Sequence, residues 1–202
     1  MPVNSSLQMG TKILIIDHND SFTYNLVQLL EEAGAQEVVV MPVAAVKEHQ
    51  INSFDGIILS PGPGLPGNYL ESFSILKKYA AIKPILGVCL GLQIIVEFFG
   101  GQLQNLNVVQ HGRQLEIYRQ IDCLLFEEMN FPFKVGLYHS WAMDKSINLE
   151  CLQITSVLKN GTVMSLRHSL YKIYAVQFHP ESYMTQQGLQ LMKNWLKIVE
   201  GR

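Results

Sequence analysis

Short apolar runs punctuate the first half of the chain. They lie at residues 12–17, 37–41, 56–59 and 85–88. Because the runs are rich in aliphatic and β-branched residues and are too short for buried helices, each predicts a buried β-strand. Prolines and glycines cluster at residues 60–68, directly after the third run, and predict a bent loop without regular structure.

Between these runs, apolar side chains recur at the spacing of an amphipathic helix. The first predicted helix begins after a cap at Asp20 or Ser21 and ends at Gly34. Its predicted buried face consists of Phe22, Leu26, Leu29, Leu30 and Ala33. Further helices are predicted at about residues 70–81 and 90–99. Strands therefore alternate with helices, which predicts right-handed crossovers and a parallel sheet covered on both faces.

The second half of the chain has a different pattern. Residues 152–158 and 162–167 flank Asn160-Gly161, a strong hairpin signal, and so predict two antiparallel strands. One more strand is predicted at residues 173–178. A last helix, at about residues 187–199, is predicted to bury Leu189, Met192, Leu196 and Val199. The expected fold class is α/β, with a mostly parallel sheet and a mixed, partly antiparallel C-terminal half.

Composition narrows the class of protein. The chain has 202 residues, 48% apolar and 16% charged, which suits one domain with a sizeable core. A net charge of −2 gives no reason to expect nucleic acid or an anionic membrane as a partner.

Residues 1–11 are polar and predict a short N-terminal extension rather than a secretory signal, with the domain at 12–202. No apolar run approaches the ~20 residues of a membrane span. Three cysteines fit a reducing cytosol, so we expect a cytoplasmic protein.

Chemically active side chains follow several of the predicted strands. Asp17 is the last residue of the first predicted strand, and Ser60, Cys89 and His179 each follow a predicted strand directly. Ligand sites in parallel sheets form at the carboxyl ends of the strands. We therefore expect these four positions to meet at one edge of the sheet.

The segment Gly87-Val88-Cys89-Leu90-Gly91 lies between a predicted strand and a predicted helix. This is the arrangement of a nucleophile elbow with sulfur in place of oxygen. The start of the helix favours the thiolate form of Cys89, and its amides are suited to an oxyanion. His179 is the candidate base, and Glu181 is suited to orient its ring. The pattern predicts a Cys-His-Glu triad.

Other candidates have ordinary explanations. Cys123 and Cys151 lack flanking glycines and are expected to be packing residues. The histidines His111, His139 and His168 fit structural roles, although the Tyr-His-Ser context gives His139 more weight. No phosphate-binding loop, dinucleotide fingerprint or metal-ligand spacing is present in the sequence, so no cofactor or metal is expected.

Five motifs make the chain similar to a known family. They are D-H-N-D-S-F-T-Y-N-L at 17–26, S-P-G-P-G-L-P at 60–66, G-V-C-L-G-L-Q at 87–93, Y-H-S at 138–140 and F-H-P-E-S at 178–182. The chain resembles the class I (triad) glutamine amidotransferases, and among them the small subunits of anthranilate synthase and aminodeoxychorismate synthase. The first motif is the most specific to this chorismate-using branch.

The resemblance implies a flavodoxin-like fold and a set of site residues. Cys89, His179 and Glu181 would be the catalytic triad. The residues implied in binding L-glutamine and its oxyanion are Gly62, Pro63, Gly64, Leu90, Gln93, Ser140 and Trp141. The protein partner would be a chorismate-using synthase subunit that receives ammonia.

Several positions depart from the family's usual pattern. His18 and Asn19 replace the usual Asn-Tyr in the first motif, Leu92 replaces His, and Trp141 replaces Leu. Further departures are Leu137 for a common Arg and Arg113 for a usual Lys. Three alternatives remain open: a subunit serving another acceptor, a non-catalytic regulatory subunit of the same fold, and a stand-alone cysteine hydrolase.

Overall fold

The computed structural model describes residues 10–147 and 149–202. The predicted extension at 1–11 therefore lies almost entirely outside the described residues. These residues form one nine-stranded sheet with helices on both faces. The strands are β1 Lys12–Asp17, β2 Glu37–Pro42, β3 Gly56–Leu59, β4 Ile85–Val88, β5 Leu103–Arg119, β6 Phe133–Met143, β7 Leu152–Leu158, β8 Val163–His168 and β9 Ile173–Val176. The α-helices are α1 Thr23–Ala33, α2 Glu48–Ile51, α3 Leu70–Tyr79, α4 Leu90–Phe98 and α5 Gly188–Glu200.

The sheet divides into a parallel part and an antiparallel part. Its strand order is β2-β1-β3-β4-β9-β8-β7-β5-β6, and the first five of these are mutually parallel. If β9 is counted as the fifth parallel strand, the order is 2-1-3-4-5, as in flavodoxin-like folds. The strands from β8 to β6 pair antiparallel. The expected α/β class with a mixed C-terminal half is thus confirmed.

The parallel strands are buried on both faces. In β1, Ile13 and Ile15 belong to one apolar cluster, whereas Leu14 and Ile16 belong to the other. The first cluster includes side chains of α1 and α5, and the second includes side chains of α3 and α4. This three-layer packing explains why β1 is a continuous apolar run rather than an alternating one.

Most predicted elements are present, but some details of the helices were wrong. Neither Asp20 nor Ser21 caps α1, because Phe22 occupies the N-cap and no side chain bonds there. Asp20 instead accepts a hydrogen bond from the Phe22 N–H at 2.7 Å. Gly34 does end the helix, in a left-handed conformation with φ 110°. In α5, Leu189 is exposed, because Trp195 on another face of the helix fills the core.

The sequence did not predict the long β5–β6 ribbon. Most of β5 is exposed, and register shifts interrupt its pairing with β6. Such a strand shows neither an apolar run nor regular alternation. The ribbon matters for the site, because Gly136 in β6 forms a bridge with His179 just beyond β9. Within the described ranges, no helix has the length and apolar character needed to cross a membrane.

Candidate active site

Cys89 lies in the sharp turn between β4 and α4. Its backbone angles, φ 52° and ψ −100°, are unusual for a residue other than glycine. Strain of this kind costs about 1–3 kcal/mol and persists only where neighbouring contacts enforce it. Here the Cys89 N–H donates to the Val176 carbonyl at 2.8 Å, and the Cys89 carbonyl accepts from the Gln93 N–H at 3.2 Å. The sequence-predicted elbow is therefore present, with the cysteine itself in the strained conformation.

The two flanking glycines are required by close packing. A Cβ added at Gly87 would lie 2.6 Å from the backbone carbonyl of Gly91. A Cβ added at Gly91 would overlap the carbonyl oxygen of Leu59 and lie 2.8 Å from the Leu59 Cβ. Neither glycine has a positive φ. They let α4 start directly against β3 and β4, and this approach holds the elbow at the sheet edge.

His179 and Glu181 form a buried pair beside the elbow. The His179 Nδ1 lies 2.6 Å from Glu181 Oε1, and the two side chains are 4% and 0% exposed. Because a carboxylate oxygen accepts, Nδ1 carries a proton and donates it. The His179 Nε2 has no hydrogen-bond partner among the described residues. The backbone fixes the ring position, since the His179 N–H donates to the Gly136 carbonyl at 3.0 Å.

The charges around His179 favour its protonated form. Burial by itself lowers the pKa of this imidazole, but Cys89 and Glu181 together raise the pKa well above its usual value. The thiol acts on the ring both electrostatically and as a close polar neighbour. The contact falls short of a well-formed hydrogen bond between Nε2 and the sulfur, and catalytic pairs of this kind often tighten only when substrate binds. The arrangement favours the imidazolium form of His179 beside the Cys89 sulfur.

A small cavity opens beside Cys89. It has a volume of about 180 Å³. Its lining consists of Gly62, Pro63, Gly64, Cys89, Leu90, Gln93, Tyr138, His139, Ser140 and Trp141. All of the residues implied in binding glutamine are thus brought to one cavity with Cys89. His179 and Glu181 do not line it. A larger groove of about 540 Å³ lies along β5 and contains no triad residue.

Polar contacts connect the cavity walls. Gln93 Nε2 donates to the Trp141 carbonyl at 3.1 Å, which ties α4 to β6. Gln177, just after β9, directs its Nε2 at the Cys89 sulfur over 3.6 Å. Gln177 is fully buried and was not predicted from the sequence, although its place near the end of the strand predicted at residues 173–178 was a usable signal.

Two aromatic rings pack edge-on against the His179 imidazole. The centroid of the Tyr138 ring lies 5.0 Å from that of the imidazole, and the centroid of the Phe22 ring lies 5.9 Å away. These contacts were also missed, because they depend on β6 and on the turn before α1 meeting at the end of β9. As a whole residue, His179 is 3% exposed, and these rings are among the side chains that bury it.

His139 has a structural position in the wall of the cavity. Its Nδ1–H donates to the Trp141 carbonyl at 2.9 Å, and burial lowers its pKa to about 4. The ring is therefore neutral near pH 7. Elsewhere, Cys123 is buried in the first apolar cluster, and burial raises its pKa. Within residues 10–147 and 149–202, no group of three or more His, Cys, Asp or Glu side chains is placed to hold a metal ion.

Comparisons with known proteins agree with this geometry. The family model for class-I glutamine amidotransferases matches residues 14–199. The chain is 43% identical over 187 residues to a Haemophilus influenzae protein provisionally named anthranilate synthase component II, covering 93% of this chain and 96% of that protein. It is 38% identical over 194 residues to anthranilate synthase component 2 of Lactococcus lactis, covering 93% and 94%.

A solved structure has a similar fold. A Thermoplasma acidophilum protein, provisionally described as one of the subunits of a GMP synthase, superposes with a TM-score of 0.84 at 25% identity, covering 95% of each chain. The family model spans most of the chain, and the sequence relatives are matched along nearly their whole length. The chain therefore belongs to the class-I glutamine amidotransferase family.

Proposed function

We propose that this chain is a glutaminase subunit that hydrolyses L-glutamine and passes the ammonia to a chorismate-using synthase. The observation that carries the proposal is the convergence at one sheet edge. A strained cysteine, a buried His–Glu pair and a cavity bounded by glycine-rich backbone lie together there. Each comes from a separate stretch of the sequence.

The first step is attack on the substrate amide. The Cys89 thiolate adds to the side-chain carbonyl carbon of glutamine and forms a tetrahedral oxyanion. Gly62, Gly64 and Leu90 line the cavity, and their backbone N–H groups are suited to bind this oxyanion. When the C–N bond breaks, the Nε2–H of His179 protonates the leaving nitrogen, which departs as ammonia.

The second step removes the glutamyl group. The first step leaves a thioester on Cys89 and a neutral His179. Nε2 then takes a proton from water as the water oxygen attacks the thioester carbon. The C–S bond breaks, glutamate is released, and the thiolate–imidazolium pair is restored. Glu181 holds the ring through its 2.6 Å hydrogen bond in both steps and does not itself transfer a proton. No cofactor or metal is required.

The acceptor of ammonia is proposed from the motif at residues 17–26 and from the names of the relatives. Both relatives cited above are named as anthranilate synthase components. The product formed with the partner would be anthranilate or 4-amino-4-deoxychorismate. A second candidate is a subunit serving a nucleotide acceptor, which the structural similarity to the Thermoplasma protein favours.

The test is the variant Cys89→Ser, measured in the complex with the synthase. Glutamine-dependent synthesis should be lost, while synthesis from free ammonia should remain, because only the thiol attack is removed. Cys123→Ser and Cys151→Ser are matched controls and should keep glutamine-dependent activity. Retention of that activity in Cys89→Ser would contradict the proposed mechanism. Stimulation of glutaminase activity by a nucleotide-using synthase, and not by a chorismate-using one, would favour the second candidate.

A further inference from the structure

His18 is a completely buried histidine in the turn after β1. It does not line the cavity beside Cys89. Among the described residues, its hydrogen bonds and ring contact are made with Ser60, Ser72 and Tyr69 and not with the triad. Its neighbours are Ser60, Ser72 and Tyr69, which belong to the loop after β3 and to the start of α3. These contacts lie where the strand order reverses, between β1 and β3.

Hydrogen bonds determine the protonation state of the His18 ring. Nδ1 lies 3.2 Å from both the carbonyl oxygen and the hydroxyl oxygen of Ser60. The carbonyl can only accept, and the hydroxyl donates its proton to the Pro61 carbonyl at 2.6 Å, so Nδ1 carries the proton. Nε2 lies 2.8 Å from the Ser72 hydroxyl and therefore accepts a hydrogen bond from it. Burial lowers the pKa of His18 to about 4, which agrees with a neutral ring.

The same cluster holds the carbonyl groups of the Pro/Gly loop. The Ser60 carbonyl accepts from His18, and the Pro61 carbonyl accepts from the Ser60 hydroxyl at 2.6 Å. The Tyr69 hydroxyl lies 2.9 Å from the Pro63 carbonyl and 3.1 Å from the His18 carbonyl. The His18 N–H in turn donates to the Ser60 hydroxyl oxygen at 2.9 Å.

These contacts involve carbonyl groups of the loop and leave the N–H groups of Gly62 and Gly64 unbonded among the described residues. In a trans peptide the N–H points opposite to the preceding carbonyl. The Gly62 and Gly64 N–H groups therefore point away from the carbonyls of Pro61 and Pro63, which the cluster holds. In the part of the chain that the structure describes, neither amide has a hydrogen-bond partner. Both glycines line the cavity beside Cys89.

The fit between His18 and the loop is close. A Cβ added at Gly62 would lie 2.6 Å from the Cβ of His18, 2.7 Å from its carbonyl oxygen and 2.8 Å from Leu90 Cδ2. The loop is thus packed between the His18 turn and the first residue of α4. Displacement of the His18 ring would release the loop from the elbow side of the cavity.

We propose that neutral His18 is a positioning residue that holds the 60–64 loop with its Gly62 and Gly64 amides directed at the oxyanion. This role rests on the glutaminase function proposed above. Since the oxyanion exists only after attack by Cys89, loss of the tether should lower kcat and leave KM nearly unchanged. The reactivity of the Cys89 thiolate itself should not depend on His18.

The test compares two variants of His18, one that keeps the hydrogen bond to Ser60 and one that keeps the hydrogen bond to Ser72. The side-chain amide of Asn lies near the position of Nδ1, and that of Gln lies near the position of Nε2. His18→Asn can still donate to Ser60, so kcat should fall less than about threefold. His18→Gln keeps only the Ser72 contact, and kcat should fall at least tenfold, up to the ~10²–10³ expected for complete loss of an oxyanion donor.

Two further measurements make the result specific. The rate of Cys89 alkylation by iodoacetamide, which forms no oxyanion, should stay within twofold of wild type in both variants. His168→Asn is the matched control: this other buried histidine accepts from the N–H groups of Leu170 and Tyr171, away from the cavity, and its replacement should not change kcat. Wild-type kcat in His18→Gln, or a parallel loss of alkylation and turnover, would overturn the proposal.

Two additional experiments cover the remaining outcomes. If His18→Gln does not fold, Tyr69→Phe removes only the hydroxyl near the Pro63 carbonyl and should lower kcat at least threefold; an unchanged kcat would overturn the proposal. Nitrogen-15 NMR of the His18 ring should show protonated Nδ1, and protonated Nε2 would also overturn it. Because the NMR and alkylation readouts need no glutamine turnover, they separate a failure of this inference from a failure of the glutaminase function.

Discussion

At the scale of single residues, two buried histidines at the same sheet edge have different charge states, one protonated and one neutral. His179 faces Cys89 and Glu181, and these outweigh burial to raise its pKa well above the usual value. His18 is surrounded mainly by hydroxyl and carbonyl groups, and burial lowers its pKa to about 4. The first ring is therefore ready to give a proton, whereas the second serves as a neutral hydrogen-bonding group.

The division of labour within the triad leads to a prediction. Glu181→Gln should reduce glutamine turnover less than His179→Ala, because the carboxylate orients the base and does not transfer the proton. Turnover is compared in the assembled complex, with circular dichroism to confirm that both variants fold. Equal losses in two folded variants would contradict the roles assigned here.

Leu92 tests how much a departure from the family's usual sequence matters. Its side chain is fully buried in the apolar cluster of α3 and α4, and it does not line the cavity. Leu92→His should therefore change kcat/KM less than tenfold, or under ~1.4 kcal/mol of transition-state stabilisation. Leu92→Met is the control for altered packing alone. A large gain specific to histidine would show that this position had lost a catalytic contact.

At the scale of elements, the elbow depends on how closely α4 approaches β3. Gly91→Ala should destabilise the protein by at least about 2 kcal/mol, because the added methyl would overlap the Leu59 backbone and a rigid strand cannot retreat. Chemical denaturation measures this change. Gly67→Ala is the control, since an added Cβ there meets nothing within 4 Å. Comparable stability in the two variants would show that α4 can shift without loss.

At the scale of the whole molecule, exposed aromatic residues flank the elements that carry the site. Tyr183 follows Glu181 by two residues and is 88% exposed, and Tyr24, in the first turn of α1, is 73% exposed. Aromatic side chains are enriched at protein interfaces. We therefore expect the synthase to dock on this edge.

Docking should control turnover. Glutamate release by the chain alone should be weak and should rise at least ~10-fold, about 1.4 kcal/mol off the barrier, when the synthase and chorismate are added. The reason is that free hydrolysis would waste glutamine, so a partner is expected to complete the site. Hydrogen bonds connect the 60–64 loop to the His18 turn, so we expect these two segments to adjust together.

The variant Tyr183→Ser should weaken this activation, whereas Leu170→Ser, at a similarly exposed residue (84%) in the β8–β9 connection, should not. Both effects are read from glutamate release against synthase concentration. Full activity in the isolated chain would instead favour a stand-alone hydrolase.

Local sequence determined the parallel half of the sheet and the elements on which the triad stands. Strands such as β1 are buried on both faces, so their apolar runs are visible without knowledge of their neighbours. The Gly87-Cys89-Gly91 pattern likewise indicated the elbow, because at both glycines neighbouring backbone leaves no space for a side chain. The chain order of Cys89, His179 and Glu181 was sufficient to propose a triad.

Only the tertiary structure decided the rest. The β5–β6 ribbon has weak local signals, yet it supplies the cavity wall from Tyr138 to Trp141. Gln177 and the His18–Ser60 tether depend on side chains from distant segments meeting across the sheet. A histidine in a turn looks the same in sequence whether it faces solvent or a carbonyl. Its burial and its partners are fixed only when β1, β3 and α3 pack together.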